Sequence, residues 1–347
     1  MKTAAKQPQR AATGKPSGVQ TVWAYRLAWL LTVMTLVLVV IGGLVTTYEA
    51  GMSVVDWPTT YGHWFYPIQK WIFSYWDMFL EHGHRLWAQL TGSLAIGLGV
   101  LLIGWDRRRV AIWIGGALIA GALLQGTLGG LRVWWHSNFL AMIHGCTAAL
   151  FFALTAATVV TTAPDWRESS PRVTNPRATL LKWLGLSVLV GLYVEIVLGA
   201  QLRHPLPEVG PGWAMVWVWS KIILAAAVYT GCVALWLIAR RALGKQEMPA
   251  RRLRATSGVL FGVMSVQLAL AAATWVTNYG WPLWFRRWVV PLEYTVVAEG
   301  GLQVTITTLH VAVGALAMAT ALVYVLWAFR TLAQPAAVPA ADGKHKH

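Results

Sequence analysis

Acidic residues are scarce in this chain, with 13 Asp and Glu against 28 Lys and Arg, and charged residues fill only 12% of its 347 positions. That is too little charge to solvate the surface of a water-soluble protein of this length. Cysteine is nearly missing too. Cys146 and Cys232 both fall in apolar runs, so no loop disulfide, C-x-x-C pair or thiolate metal site is available. What is abundant is apolar: 57% of residues are hydrophobic, 22 are Trp and the mean hydropathy is +0.54. A chain built this way is expected to be an all-α polytopic membrane protein, its tryptophans belting the membrane interfaces.

Eight runs are long enough to span, at about 27–45, 79–104, 110–131, 138–162, 179–202, 213–239, 256–277 and 303–329. No clear small-residue cleavage site follows the first, which reads as a retained helix and not a removed signal. Residues 1–20 read as a basic disordered tail, 164–178 as a cytoplasmic linker and 331–347 as a second disordered tail. Between them lie two four-helix halves, 21–163 and 179–330, expected to be pseudo-symmetric. The +15 charge tests this order. Of the 28 basic residues, 21 lie before the first run, in alternate loops (107–109, 167–182, 240–254) or after the last. The positive-inside rule then puts both termini in the cytoplasm of a cell (inner) membrane protein. With the basicity explained by topology, a nucleic-acid partner has little left to account for. The bilayer is the expected surrounding, and a homo-oligomer is compatible with it.

The odd-numbered spans end in a step of small residues: Gly42-Gly43, Gly129-Gly130, Gly199-Ala200 and Ala271-Ala272-Ala273. Such steps let helices approach closely. Even-numbered spans enter from the opposite side, and three of them carry a histidine within two turns of entry: His84, His144 and His310. Span two opens on Glu81-His82-Gly83-His84-Arg85, where Glu81 and His84 share a face three residues apart. Ionisable groups this close to hydrocarbon are costly and therefore usually functional. A single membrane histidine can merely bond a neighbouring helix. Three at matched depth favour imidazoles that ligate a haem iron axially. Zinc or copper would want further thiolates or carboxylates, and only Glu81 is near.

Those residues carry a resemblance. Glu81-His82-Gly83-His84-Arg85 matches the Glu-x-x-His-Arg signature of the haem A synthase family. Ala50 to Pro58 looks like that family's loop after its first helix. Gln125 to Arg132 with Leu140 to Gly145 resembles its third and fourth helices, and Gln267 to Val276 with Thr307 to Ala312 its last pair. The resemblance implies an oxidoreductase that turns the C8 methyl of haem O into the formyl of haem A by successive hydroxylations to a geminal diol. The product serves aa3-type cytochrome oxidase. It further implies haem O between His84 and His144 in the N-terminal half, Glu81 essential there, and a haem b in the C-terminal half. Haem O synthase and oxidase-assembly factors are the partners that follow.

Residue chemistry agrees, since oxidising an unactivated methyl needs a redox metal that no side chain replaces. A carboxyl buried at Glu81 could shuttle protons. Arg85 could neutralise a haem propionate or snorkel to headgroups. His82, Arg132, Arg203 and His204 are further candidates for propionate contacts or for supporting the ligands. The second half departs from the family pattern, because the sixth span has no histidine. Lys221 stands at the expected depth as a ligand or as a partner of Glu195, and Met215 is nearer the mouth. The second haem is then five-coordinate, differently ligated or absent. Asp56 and Trp57 lie in the longest outer loop, a lid over the first pocket. His63, His136, His345 and His347 read as surface, interfacial or tail residues. Two other readings compete. A b-type cytochrome that only transfers electrons would not need Glu81, and a transporter would show helices broken at mid-membrane. A family member that binds haem with an altered second site is a third.

Overall fold

The computed structural model describes residues 18–335 except 107, 169–171, 205–209, 246, 283, 284, 286 and 288–294. The tails expected at 1–20 and 331–347 lie largely outside those residues. Ten helices are described: α1 (Gly18–Thr47), α2 (Ile68–Ile72), α3 (Trp76–Trp105), α4 (Arg109–Trp134), α5 (Asn138–Thr162), α6 (Pro164–Arg167), α7 (Ala178–Arg203), α8 (Pro211–Ala242), α9 (Met248–Tyr279) and α10 (Gly301–Thr331). All but α2 and α6 are long and apolar enough to cross a membrane, which makes eight. In hydrocarbon the backbone must bond to itself, so an apolar run of this length has no alternative to helix. Hydroxyls inside the runs obey the same demand by donating back one turn, as Thr35 does to Leu31 O at 2.7 Å and Thr91 to Trp87 O at 2.8 Å.

Helix boundaries follow local chemistry. Ser137 caps α5, its hydroxyl accepting the Leu140 N–H at 3.3 Å. Gly280, at φ 82°, ends α9. At its other end α9 starts at Met248, not near 256, because Pro249 sits in its first turn and Arg251, Arg252 and Arg254 continue the helix. Hydropathy sees only the apolar part of such a helix.

Each half closes as a ring of four. In the first, α3 packs on α1 and α4, and α5 completes the ring against α4 and α1. In the second, α8 packs on α7 and α9, and α10 completes it against α9 and α7. The rings meet through α10, which also packs on α1 and α5, with α5 against α7 beside it. Accordingly 61% of the most apolar window of α10 is buried, against 11% for α9. Leu31, Leu98 and Leu118 fill the first ring, and Leu181, Leu235, Leu260 and Tyr324 the second. Phe152, Ala315 and Ala319 fill the seam. The α3–α4 contact brings two backbones together: a Cβ on Gly99 would lie 2.7 Å from the Gly115 carbonyl oxygen. Only glycine permits it.

At the basic end the linker is clasped to both rings. β1 (Val173–Thr174) pairs in parallel with β2 (Leu332–Ala333) just after α10. Asp106, after α3, bonds Arg108 at 2.7 Å and the linker's Arg167 at 2.8 Å. Burial pushes the Asp106 carboxyl up, but the two guanidiniums outweigh it and hold the group below the usual range. Arg330 of α10 donates to the carbonyls of Trp166 and Glu168 and lies 4.5 Å over the Trp166 ring.

Candidate functional site

The polar cluster gathers at the other end, where α3 enters. Glu81 and His82 are buried, at 4% and 6% exposure. Glu81 Oε2 accepts the Val54 N–H at 2.9 Å, and Oε1 accepts from Arg85 Nη2 at 2.8 Å. Arg85 also donates to the carbonyls of Asp56 at 2.6 Å, Thr59 at 3.1 Å and Val54 at 2.8 Å. One guanidinium thus staples the loop after α1 to the helix that carries Glu81. Arg132 repeats the device from α4, donating to Gly51 O at 3.0 Å. Gly51 must be bare there, since a Cβ would lie 1.9 Å from Arg132 Nη2.

The loop is also organised from within. Asp56 accepts the N–H groups of Tyr61 at 2.7 Å and Gly62 at 2.9 Å, and the Thr59 hydroxyl. Burial raises the Asp56 carboxyl, yet these donors prevail and hold it below its ordinary value. Trp57 packs on α4, where a Cβ at Gly130 would lie 2.4 Å from its ring, and its carbonyl accepts from Trp134 Nε1 at 3.0 Å. His82 turns to this loop: its Nδ1 lies 3.1 Å from Thr60 Oγ1 and its ring stands edge-on to Tyr66 and Trp71. His63 pairs with Thr60 through backbone bonds, and His136 sits at φ 47° in the α4–α5 turn.

His84 and His144 are arranged alike. Each ring is partly accessible, but Nδ1 is buried without a hydrogen-bond partner. A Cβ at Gly42 of α1 would stand 3.2 Å from His84 Cε1, and one at Gly129 of α4 would stand 3.5 Å from His144 Cε1. The small-residue steps are therefore seats for the Nδ1–Cε1 edges of the histidines on the next helix. Deeper by one turn, Gln125 Nε2 donates to Thr147 Oγ1 at 2.7 Å and braces α4 on α5.

In the second ring, His310 on α10 also has a buried Nδ1 with no partner. Lys221 of α8 donates to Glu195 Oε2 at 3.0 Å and to Glu195 O at 3.2 Å. Met215 is 54% exposed and lies outside this group. Arg203 turns toward the first ring, donating to Gly43 O at 2.9 Å and to Thr47 Oγ1 at 2.5 Å. His204 follows it at the seam. Burial first, then the charges of Arg203 and Arg132, push His204 down to about 4. Among the described residues no group of three or more His, Cys, Asp and Glu is gathered as a metal cage.

Sequence reasoning singled out most of these side chains. It missed the Val54 N–H on Glu81, the Arg132–Gly51 contact and the part Asp56 plays in the loop. The spacing Asp56-x-x-Thr59 ahead of Gly62 was the available signal for the last.

Fold and site together define a polytopic membrane protein with histidines set against small residues of neighbouring helices and a carboxyl one turn from one of them. The family model described as cytochrome oxidase assembly protein (COX15-CtaA) matches residues 25–205, more than half of the chain. The chain belongs to that family, the haem A synthase family. A relative named Heme A synthase, from Rhizorhabdus wittichii, is 24% identical over 302 residues, spanning 72% of this chain and 85% of the relative.

Proposed function

We propose that the chain is a haem A synthase, which oxidises the C8 methyl of haem O to a formyl group in the first ring. The observation that carries this reading is the pair His84 and His144, each with its Nδ1–Cε1 edge on a glycine and its Nδ1 without a hydrogen-bond partner, backed by Glu81 one turn from His84. Two such imidazoles fit the axial positions of one iron better than any other common group. Haem O bound there is the substrate, and its iron supplies the redox chemistry that the polypeptide lacks.

The chain's own residues do the rest. His84 and His144 orient the macrocycle between α3 and α5. Glu81 is the proton-handling group: its two bonds fix both oxygens and leave lone pairs to take up protons released as the methyl is hydroxylated and to pass one from hydroxyl to hydroxyl as the diol loses water. Arg85 is a positioning residue, aiming Glu81 and closing the 50–62 loop over the pocket to exclude water. Arg132 and His204 lie near enough to receive propionates. In the second ring His310 would hold a haem b, which would supply electron transfer. Haem O synthase and oxidase-assembly factors are the expected partners, in the inner membrane with both termini cytoplasmic. The test is to express the chain with a source of haem O and separate the extracted haems by reverse-phase chromatography. Haem A is expected from the wild type, and haem O persisting unchanged would overturn the reading.

A further inference from the structure

Three neighbouring helix pairs make the same contact. A glycine of the odd-numbered span seats the polar head of the next: Gly42 with His84, Gly129 with His144, and Gly199 with Lys221, whose Nζ would lie 3.3 Å from a Cβ at Gly199. Lys221 therefore holds the place in the second ring that His84 holds in the first. It is not free to act as His84 does. Glu195 stands one turn before Gly199 on α7, and both of its contacts to Nζ, at 3.0 and 3.2 Å, come from the stretch that seats the lysine. An amine ligates iron only after giving up its proton. Doing so here would give up the ion pair with Glu195, whose side chain is only 13% exposed. His310 has no such restraint, since its Nδ1 bonds nothing. The other donors nearby are spent or distant, Arg203 being bound to α1 and Met215 facing outward.

Resting on the haem reading above, we propose that the second ring is a one-imidazole haem site. His310 is the sole axial ligand, Glu195 withholds Lys221, and the face of the iron beneath the ion pair is open to a small neutral diatomic ligand. The two rings then differ in kind, one saturated by two imidazoles and the other ligand-accepting, with the Lys221 ammonium placed as a hydrogen-bond donor to whatever binds.

The test uses the full chain purified in detergent with its haem, read by optical and electron paramagnetic resonance spectra and by titration of the dithionite-reduced form with carbon monoxide. The expected result is a low-spin component that does not take up carbon monoxide beside a high-spin component that does. The double variant His84→Ala/His144→Ala keeps only the high-spin one, and His310→Ala removes it. Lys221→Ala leaves that component high-spin, whereas Lys221→His turns it low-spin and lowers carbon monoxide uptake at least tenfold. A low-spin second haem that becomes high-spin in Lys221→Ala would overturn the proposal by making the lysine a ligand. So would loss of all haem from the double variant, or, if that variant does not accumulate, a wild type without any component that binds carbon monoxide. Failure to form haem A from haem O would instead sink the synthase reading and leave these spectra standing.

Discussion

The two rings share a helix order but treat their buried carboxylates in opposite ways. In the first, Glu81 lies on the histidine's own helix and is held by a backbone N–H and by Arg85, so it stands beside the imidazole without competing for it. In the second, Glu195 lies on the neighbouring helix and grips the residue at the imidazole's place. The same scaffold therefore gives an acid poised next to a histidine in one half and an acid paired with a lysine at the matching place in the other. The surroundings differ in step. The first ring is closed over by a loop stapled through Arg85 and Arg132. What this teaches is that a repeated helical frame fixes where a polar head sits, while one residue on the adjacent helix fixes what that head can do.

The largest effects should come from the histidines. His84→Ala or His144→Ala is expected to reduce haem A formation to background in the extraction assay, while His310→Ala retains measurable product. Equal loss in all three would erase the distinction between the rings. The two carboxylates give the next contrast. Glu81→Gln keeps the size and one acceptor but cannot take a proton, and should lower turnover by about 10²–10⁴-fold. Glu195→Gln should change it by less than about tenfold, because it acts only through Lys221. A Glu81→Gln enzyme with full turnover would remove Glu81 from the chemistry.

How far the sequence reached can be judged from the same residues. Span number, the Glu81–His84 face and the small-residue steps were all readable, because hydrocarbon forces the backbone into helix and makes every ionisable group conspicuous. The Lys221–Glu195 alternative was also readable, from depth along two apolar runs. What was not readable was pairing across space through the main chain. Nothing in Gly51 or Val54 announces that the carbonyl of one receives Arg132 while the amide of the other feeds Glu81. Loop conformation decides that, and it has no period to detect. The start of α9 was hidden for a different reason, since its first two turns carry arginines and leave the apolar pattern.

A smaller effect tests the joint between the rings rather than either pocket. Asp106 is buried at 4% exposure and faces both Arg108 and Arg167, so Asp106→Asn leaves two guanidiniums together near the linker. Both arginines keep some exposure, which screens the loss, and the cost should be about 1–3 kcal/mol of stability. A lower midpoint in thermal unfolding with haem A formation per folded molecule unchanged is the expected outcome. If turnover fell as much as in Glu81→Gln, the joint would belong to the chemistry.

The smallest effect concerns His204, which lies at the seam and reaches the first site from the second ring. Its folded-state value is pushed down to about 4, by burial foremost and then by Arg203 and Arg132, whereas in an unfolded chain it titrates near its ordinary 6.5. The folded protein therefore binds this proton less readily than the unfolded one. Above about pH 6.5 neither state is charged and the group is neutral toward stability. As pH falls from there toward 4 the unfolded state gains the proton first, so stability declines through that window and levels off once the folded state is protonated too. His204→Asn removes the titration while keeping a polar side chain of similar reach. The drop in unfolding midpoint between pH 7 and pH 4.5 should thus be smaller in the variant than in the wild type. A drop of equal size in both would mean that His204 is solvated and that the rings meet less closely at this end. The same variant measured at pH 7.5 should match the wild type, because the group is uncharged there in either state.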